Sequence, residues 1–217
     1  MSKIIKLGDI INLLNGYAFK SKEYSSDGYF VMRITNVQKG YISNHNPRYI
    51  KIKPDTKLEK FILKDKDILI TLTGDVGRVG LIKKKHLPCI LNQRVAKVVI
   101  IDESTVDKNF LFLFLNSEIF IKKVEKISHG TAQSNVATTD ILNISLNLPS
   151  FKEQKRIAAK LDEVFTEINR VIDSTNKLQE HINFLIESAL NEITKIGNTR
   201  VTLKDVCYIK SSLVDPK

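Results

Sequence analysis

The chain has 217 residues, with 34 Lys and Arg against 24 Asp and Glu, two cysteines and a formal net charge of +10. This length accommodates one full domain whose core needs no disulfide or metal. Cys89 and Cys207 match no metal-site or redox spacing, so we interpret both as reduced thiols. The first residues have no apolar signal segment, and eighteen consecutive apolar residues occur nowhere. The sequence therefore predicts a soluble, cytoplasmic protein with no membrane association.

The positive charge lies in the first part of the chain. Residues 1–100 contain 19 Lys and Arg and 8 Asp and Glu, whereas residues 101–217 contain 15 and 16. A basic region followed by a neutral one predicts a polyanion-binding module joined to a protein-binding one. The alternative is that the lysines reflect only the composition of an AT-rich genome.

The first half of the chain predicts strands joined by polar loops. Residues 4–14 predict a short strand or turn followed by a helical turn, and the glycine-containing residues 15–24 predict a loop. β-Branched and apolar residues predict three strands, at 28–37, 67–74 and 89–101. These strands would form the centre of a domain.

The remaining segments complete that domain. The three glycines of GDVGRVG (74–80) predict a tight turn before a further strand. Apolar residues at helical spacing predict a helix over 109–127, and a polar loop and a strand follow at 128–140 and 141–149. The sequence thus predicts an α+β fold with a mostly β domain over residues 1–148.

Residues 149–196 predict one long helix with no internal Gly or Pro. Its apolar and small residues recur at alternating steps of four and three, the repeat of a coiled-coil seam. The seam residues are Ile157, Leu161, Val164, Ile168, Val171, Thr175, Leu178, Ile182, Leu185 and Ala189. The residues that widen the seam on one side are Phe165, Ile172, Ile186, Leu190 and Ile193. Ser150 with Glu153 predicts an N-terminal capping box, and Gly197 predicts the end of the helix. Such a seam needs a partner helix, from a second copy of the chain or from another protein.

Residues 197–217 contain a partial repeat of the N-terminus. VTLKDV (201–206) matches IKLGDI (5–10) at its apolar positions and at its aspartate. This repeat predicts the partial start of a second copy of the first domain, or a tail.

The sequence has no arrangement of residues that points to catalysis. The glycines of residues 74–80 do not fit the dinucleotide fingerprint, and no phosphate-binding loop occurs. No Asn/Asp-Pro-Pro-Tyr/Phe stretch of an amino-methyltransferase is present, and the histidines show no ligand spacing. We therefore predict neither a catalytic nor a metal site.

Residues suited to DNA recognition are more abundant. A DNA reader needs cations for phosphates and amide or guanidinium groups for base edges. The loops of the basic region supply both, and our candidate DNA contacts are Lys20, Lys22, Arg33, Asn36, Gln38, Thr73, Arg78, Lys84, Asn92, Gln93, Arg94, Gln133, Ser134 and Asn135. Taken singly, each of these residues is more often structural, so the prediction rests on the set.

Three segments resemble the specificity (S) subunits of type I restriction-modification systems. The strongest resemblance is in GTAQSNVATTDILNISLNLPSFKEQKRIAAKLDEVF (130–165), which is similar to the junction between the target recognition domain and the conserved helix of that family. The others are DILITLTGDVGRVGLI with LNQRVAKV (67–82 and 91–98), and KLGDI with NGYAFKSKEY within 6–24. Together they cover nearly the whole chain.

The resemblance implies a non-catalytic subunit of a host-defence complex. The first domain would bind half of a split double-stranded DNA target, and the helix would pair antiparallel with a second such helix and dock the methyltransferase (M) subunits. Restriction (R) subunits would join through the complex. No cofactor is expected on this chain, since S-adenosylmethionine would be bound by M, and ATP with magnesium by R.

The chain departs from the family pattern in having one domain and one helix. It is therefore expected to act as a half-subunit, as a homodimer or with a second half-subunit, and to direct DNA methylation to a bipartite site. A twofold dimer would read an inverted repeat. The alternatives are a truncated S fragment that binds M or another half-subunit without reading DNA, a coiled-coil adaptor for another polyanion, and an enzyme in its own right.

Overall fold

The computed structural model describes residues 3–52, 57–128 and 136–196. Its strands are β1 (Lys3–Lys6), β2 (Ile11–Asn15), β3 (Tyr24–Ser25), β4 (Tyr29–Met32), β5 (Val37–Gln38), β6 (Tyr41–Ile42), β7 (Tyr49–Ile50), β8 (Ile62–Leu63), β9 (Ile68–Thr71), β10 (Val79–Leu81), β11 (Cys89–Leu91), β12 (Val95–Ile100) and β13 (Ser145–Leu148). Its α-helices are α1 (Lys108–Leu115), α2 (Glu118–Ser128), α3 (Thr138–Leu142) and α4 (Phe151–Ile196). The predicted fold class is confirmed, because a mostly β domain is followed by one long helix.

A four-stranded antiparallel sheet lies at the centre, in the order β10-β9-β12-β2. All four residues of β9 are buried, which explains its continuous apolar sequence. Ile68 and Ile70 belong to the core cluster that includes Leu111 of α1 and Phe120 of α2. Leu69 belongs instead to the core of a second sheet. The central sheet is therefore covered on both faces.

The second sheet has five strands in the order β3-β7-β4-β11-β8. Its pairs are antiparallel except for β4 and β11, which are parallel with Cys89 opposite Phe30. Met32 and Leu91 from these two strands pack in the cluster that receives Leu69. The two remaining sheets are the antiparallel pairs β5–β6 and β1–β13.

The prediction of a single strand over 89–101 is wrong. β11 and β12 lie in different sheets, and Asn92, Gln93 and Arg94 connect them. The Asn92 side-chain oxygen accepts a hydrogen bond from the Arg94 amide at 3.3 Å, and the Asn92 carbonyl accepts one from the Val95 amide at 3.0 Å. These local bonds turn the chain from one sheet into the other.

The helix predicted over 109–127 is two helices. Asn116 ends α1, and the Ser117 hydroxyl accepts a hydrogen bond from the Phe120 amide at 3.3 Å at the start of α2. Ser caps a helix N-terminus well, so Asn-Ser stops one helix and starts the next. The predicted strand over 141–149 is likewise shorter, since α3 precedes β13.

Three other predictions, all for segments within residues 4–80, need correction. Residues 4–14 form β1, a 3-10 turn and β2, where we expected a helical turn at the end. The strand predicted at 28–37 ends at Met32, because the chain turns there around the buried side chain of Asn36. Gly80 lies within β10 instead of in the turn, and a Cβ there would be 2.8 Å from the Tyr41 carbonyl oxygen.

The start of α4 is tied to the domain. Ser150 acts as the predicted N-cap, because its hydroxyl accepts a hydrogen bond from the Glu153 amide at 3.4 Å. The Glu153 carboxylate pairs with Arg156 at 2.7 Å, which lowers the pKa of Glu153. Gln154 is fully buried: its side-chain nitrogen donates to the carbonyls of Thr105 and Pro149, both at 3.0 Å, and its oxygen accepts from the Asp107 amide at 2.9 Å.

The chain divides into two compact units between Leu161 and Asp162. The first contains the domain and the start of α4, where Gln154 and Ala158 are buried. In the second, every side chain from 162 to 194 is exposed. None of the helices among the described residues has the length and apolar character required to span a membrane.

Candidate nucleic-acid interface

The connection from β11 to β12 is held by the backbone of two other segments, at the end of β4 and just after β2. The Asn92 amide donates to the Met32 carbonyl at the end of β4, at 3.2 Å. The Gln93 amide donates to the Tyr17 carbonyl at 2.9 Å, and the Tyr17 amide donates to the Leu91 carbonyl at 3.0 Å. Because these bonds use main-chain groups, the side chains of Gln93 and Arg94 remain available for other contacts.

Gly16 permits this crossing. A Cβ at Gly16 would lie 2.4 Å from the carbonyl oxygens of both Leu91 and Asn92, so a side chain there would push the two segments apart. Gly16 belongs to the NGYAF segment that carries part of the family resemblance. Its role is close approach of backbone to backbone.

A cleft of about 400 Å³ opens beside this connection. Its lining combines aromatic, cationic and amide groups, and consists of Phe19, Ser21, Tyr24, Arg33, Ile34, Thr35, Asn92, Gln93 and Arg94. Phe19 packs edge-on against Tyr17, with ring centroids 5.0 Å apart, which fixes one wall. A cleft with stacking surfaces and convergent donors fits the chemistry of nucleic-acid bases and phosphates.

Gln93 and Arg94 are the exposed donors of this cleft. Both side chains are exposed, and within the described residues no protein group bonds to the Arg94 guanidinium or to the side-chain amide of Gln93. Arg33 is half-buried and donates through Nη2 to the Asn46 carbonyl. The Arg94 guanidinium therefore keeps its N–H donors available, whereas one donor of the Arg33 guanidinium already bonds to its own loop.

Arg78 lies in an adjoining group of polar residues. Its guanidinium pairs with the Asp75 carboxylate and donates to the Gln38 side-chain oxygen at 3.3 Å. Ile34 and Thr35 line both this group and the cleft, so the two sets are neighbours on the surface. The Thr71 hydroxyl, which donates to the Asp75 carbonyl at 2.6 Å and accepts from the Arg78 amide at 3.0 Å, holds the turn between β9 and β10 in place.

Three of the candidate DNA contacts have side-chain polar groups that are buried in the domain. The buried side chain of Asn36 accepts from the Arg33 amide and donates to the carbonyls of Ser43 and His45, both at 3.1 Å. We therefore assign Asn36 a structural role instead of the DNA contact that its residue type predicts. The Thr73 hydroxyl is buried, and Asn92 is 8% exposed with its oxygen bonded to the Arg94 amide. These two side chains are therefore less accessible than those of Gln93 and Arg94.

The remaining candidates are dispersed. Lys20 and Lys22 are exposed beside the cleft, at and within the 3-10 turn Ser21–Glu23. Lys84 is exposed on the 3-10 turn Lys84–His86, away from the cleft lining. Gln133, Ser134 and Asn135 lie outside the described residues. The DNA-contact residues as a set stay a prediction.

Sequence reasoning missed Tyr24, Ser21 and Thr35, which line the cleft with the predicted residues. The signal was present for Tyr24, because it closes the aromatic- and lysine-containing segment NGYAFKSKEY. Thr35 carried no such signal, because a threonine that follows a strand is usually only a turn residue.

Ionisable groups in the interior show no sign of activation. Burial, with a smaller contribution from Asp67, raises the pKa of the Cys89 thiol to about 12. Burial and the nearby Lys85 and Lys83 lower the pKa of His86. Among the described residues, no group of three or more His, Cys, Asp or Glu side chains is arranged to hold a metal ion.

Comparison with known families identifies the chain. The model of the type I restriction modification DNA specificity domain matches residues 2–183. The chain belongs to this family. The predicted assignment is thereby confirmed, and the family is described as a DNA specificity domain, in agreement with the prediction of a non-catalytic subunit.

Named relatives of this specificity-domain chain are similar over most of its length. The type I restriction enzyme MjaVIII specificity subunit of Methanocaldococcus jannaschii is 31% identical over 203 residues, covering 92% of this chain and 46% of the relative. The EcoAI specificity subunit of Escherichia coli is 32% identical over 194 residues, covering 86% of this chain and 33% of the relative. The chain thus spans less than half the length of these relatives.

Solved structures share the fold. A chain from a structure concerning complex assembly and conformational transition of the type I R-M system matches with a TM-score of 0.64 at 16% identity, over 88% of this chain and 45% of the other. The type I S subunit from M. genitalium matches with a TM-score of 0.56 at 19% identity, over 77% of this chain and 39% of the other.

Proposed function

We propose that this chain is the sequence-reading component of a type I restriction-modification system, with one recognition domain that binds half of a bipartite DNA site. The observation that carries the proposal is the cleft beside the β11–β12 connection, in a chain that belongs to the DNA specificity family. Arg94 presents an uncommitted guanidinium there, and Arg is the side chain that most often reads guanine in the major groove.

The surrounding charge suits a phosphate backbone. The excess of Lys and Arg over Asp and Glu lies in residues 1–100, the part of the chain that also forms the cleft. Lys20 and Lys22 flank the cleft and can neutralise phosphates, which positions the domain without specifying sequence. The residues of the cleft, with Arg33 and Arg94, and the adjoining group around Arg78 would then contact base edges.

The long helix supplies the second half of the proposed function. Its seam residues beyond 160 remain exposed, from 36% for Leu161 to 61% for Leu178. An apolar stripe this long is normally covered, and a second copy of α4 would cover it while bringing a second recognition domain to the DNA. The assembly would read an inverted repeat with a fixed spacer, and the helix pair would dock methyltransferase subunits.

Cofactors belong to the proposed partners. S-adenosylmethionine would be bound by methyltransferase subunits, and ATP with magnesium by restriction subunits that join the same complex. This chain would select the DNA site at which their chemistry takes place.

Methylome sequencing tests the proposal directly. Cells that express the chain with its cognate methyltransferase subunit are compared with cells that express the methyltransferase alone. We expect a new methylated palindrome with a non-specific central spacer. An asymmetric bipartite motif would show that a second, different half-subunit supplies the other domain. If no motif appears, the chain does not read DNA, and the protein-binding alternative takes its place.

A further inference from the structure

We infer that Arg78 reads a guanine of the DNA target, and that Asp75 and Gln38 are positioning residues that hold its guanidinium for this contact. The inference rests on the proposed function, which brings the group around Arg78 to base edges but does not say which side chain makes the contact. It assigns that contact to Arg78, with Asp75 and Gln38 acting through it. The groups recognised are the two acceptors, O6 and N7, on the major-groove edge of guanine.

The turn that carries Arg78 is fixed by a buried residue. Thr71, at the end of β9, donates through its hydroxyl to the Asp75 carbonyl at 2.6 Å and accepts there from the Arg78 amide at 3.0 Å. Its main chain adds two bonds, to the Arg78 carbonyl and from the Gly77 amide, both at 3.0 Å. Since none of these bonds uses the side chain of Asp75 or Arg78, substitution of either side chain should leave the turn in place.

The side chain of Gln38 can hold Arg78 in only one orientation. Its nitrogen donates to the Thr35 carbonyl at 2.9 Å, and its oxygen accepts from Nη1 of Arg78 at 3.3 Å. The reverse orientation would set N–H groups against the guanidinium and oxygen against the carbonyl, and both bonds would be lost. Because both ends of the amide are used within the protein, we assign Gln38 to orienting Arg78 instead of the base contact that its residue type predicts.

Asp75 holds the other terminal nitrogen of the guanidinium. Its carboxylate pairs with Nη2 of Arg78, whereas Gln38 bonds to Nη1. A guanidinium has five N–H donors, and these two contacts use one on each terminal nitrogen. Each terminal nitrogen therefore keeps one N–H, which matches the two acceptors of guanine. The Arg78 side chain is 34% exposed, so part of it remains accessible to a ligand.

The charge of this pair favours a base over a phosphate. A phosphate contact depends on an unbalanced cation, but the positive charge of Arg78 is offset by the Asp75 carboxylate, which is itself 70% exposed and would repel a phosphate. A base edge carries no net charge and requires donors in a fixed geometry. The paired guanidinium supplies that geometry and has less side-chain freedom left to lose on binding.

Selection from random DNA tests the inference. The chain in complex with its cognate methyltransferase subunit selects duplexes from a library with randomised bases, and competition binding then measures discrimination at each enriched position. We expect one guanine position at which R78A and R78K both lose discrimination by about tenfold or more, because a lysine keeps the charge and lacks the fork of donors. D75A should lose about threefold at that same position.

D75A has a second readout that a purely structural role would not change. Loss of a carboxylate that faces DNA should raise the affinity for duplexes of unrelated sequence by about twofold, while discrimination falls. D75E restores the charge and should recover part of the discrimination. The matched control is D27A, which removes a similarly exposed carboxylate from its ion pair with Lys51 at 3.0 Å. Asp27 precedes β4, whereas Thr35 beside Arg78 follows it, so D27A should change neither quantity.

Other outcomes would overturn the inference in distinct ways. Full discrimination by R78K would make Arg78 a phosphate contact, and an altered preference in D75A at a different position from R78A would mean that Asp75 reads a base itself. A uniform loss of affinity together with a lower unfolding temperature would leave the group a structural role only. If the unmodified chain enriches a motif that R78A leaves unchanged, this inference alone fails. If the unmodified chain enriches no motif, the proposed function fails as well.

Discussion

The two parts of α4 have the same secondary structure and opposite surroundings. In the first part, Gln154 and Ala158 are buried, and Gln154 alone makes three hydrogen bonds to the domain. In the second part, from Asp162 onward, apolar residues as large as Phe165 and Ile193 are exposed. The first part is specified by contacts within the chain, whereas the second presents an apolar face that the proposed function assigns to a second helix.

This difference shows how one helix can serve two purposes. The start of α4 makes specific polar contacts with the domain through Gln154. The exposed part has a repeated apolar seam, which the proposed function assigns to a second helix. The two parts should respond differently to substitution.

The largest effect is expected in the exposed part. I168D places a carboxylate in the proposed seam and should raise the dimer dissociation constant roughly 100-fold or more, because burying an unpaired charge is costly. The thermal unfolding of the domain should not change, since Ile168 is 47% exposed and belongs to none of its core clusters. Sedimentation equilibrium and circular dichroism measure the two quantities.

The matched control is T166D, which adds the same charge on the outer face of the same helix. It should leave both dissociation and unfolding unchanged. If I168D lowered the unfolding temperature of the domain as strongly as it weakened the dimer, the division of α4 into two parts would be wrong.

The next effect concerns the anchored part. Q154A leaves the Asp107 amide and the Thr105 and Pro149 carbonyls without their side-chain partner, and should lower the free energy of unfolding by about 3 kcal/mol. Q179A, on the exposed part, removes only a bond to Asn183 at 3.1 Å and should change it by less than about 0.5 kcal/mol. Urea denaturation measures the free energy of unfolding of both variants. Equal losses would contradict the division of α4 into an anchored and an exposed part.

The helix was predictable from sequence because its signal is periodic and uninterrupted. Ser150 as N-cap followed from residue type alone, since its hydroxyl bonds only three residues away. The break between β11 and β12 was not predictable in the same way. It is fixed partly by bonds to the carbonyls of Met32 and Tyr17, which lie far away in sequence and leave no local pattern.

The types of residue in the candidate site were predictable from the sequence. Which of those residues remain exposed beside the cleft was not. Asn36 and Gln93 carry the same amide group, and both follow apolar strands. One is buried and bonded within its own loop, whereas the other is exposed beside the cleft. Sequence identifies the chemistry that is available, and burial decides which groups remain free to use it.

A smaller effect separates base reading from phosphate binding within the basic domain. R94A should reduce discrimination at one base position by about 1–3 kcal/mol, because the Arg94 guanidinium is an exposed donor of the cleft with no protein partner among the described residues. K22A should weaken binding to all sequences equally and reduce the salt dependence by about one ion, because Lys22 is exposed beside the cleft. Competition binding with the methyltransferase complex at two salt concentrations measures both. A uniform loss in R94A would remove Arg94 from the base-reading group.

A last comparison follows the reactivity of one thiol in the interior and of one on the exposed helix. In a C207S background, Cys89 has a pKa raised to about 12 by burial and is fully buried, so it should resist iodoacetamide at pH 8. A cysteine introduced by D173C lies on the exposed outer face and should react at the rate of an ordinary thiol, more than about 1,000-fold faster, because the thiolate is the reactive form. Mass spectrometry of the alkylated chain gives both rates. Comparable rates would mean that the second sheet opens readily and exposes Cys89 to the reagent.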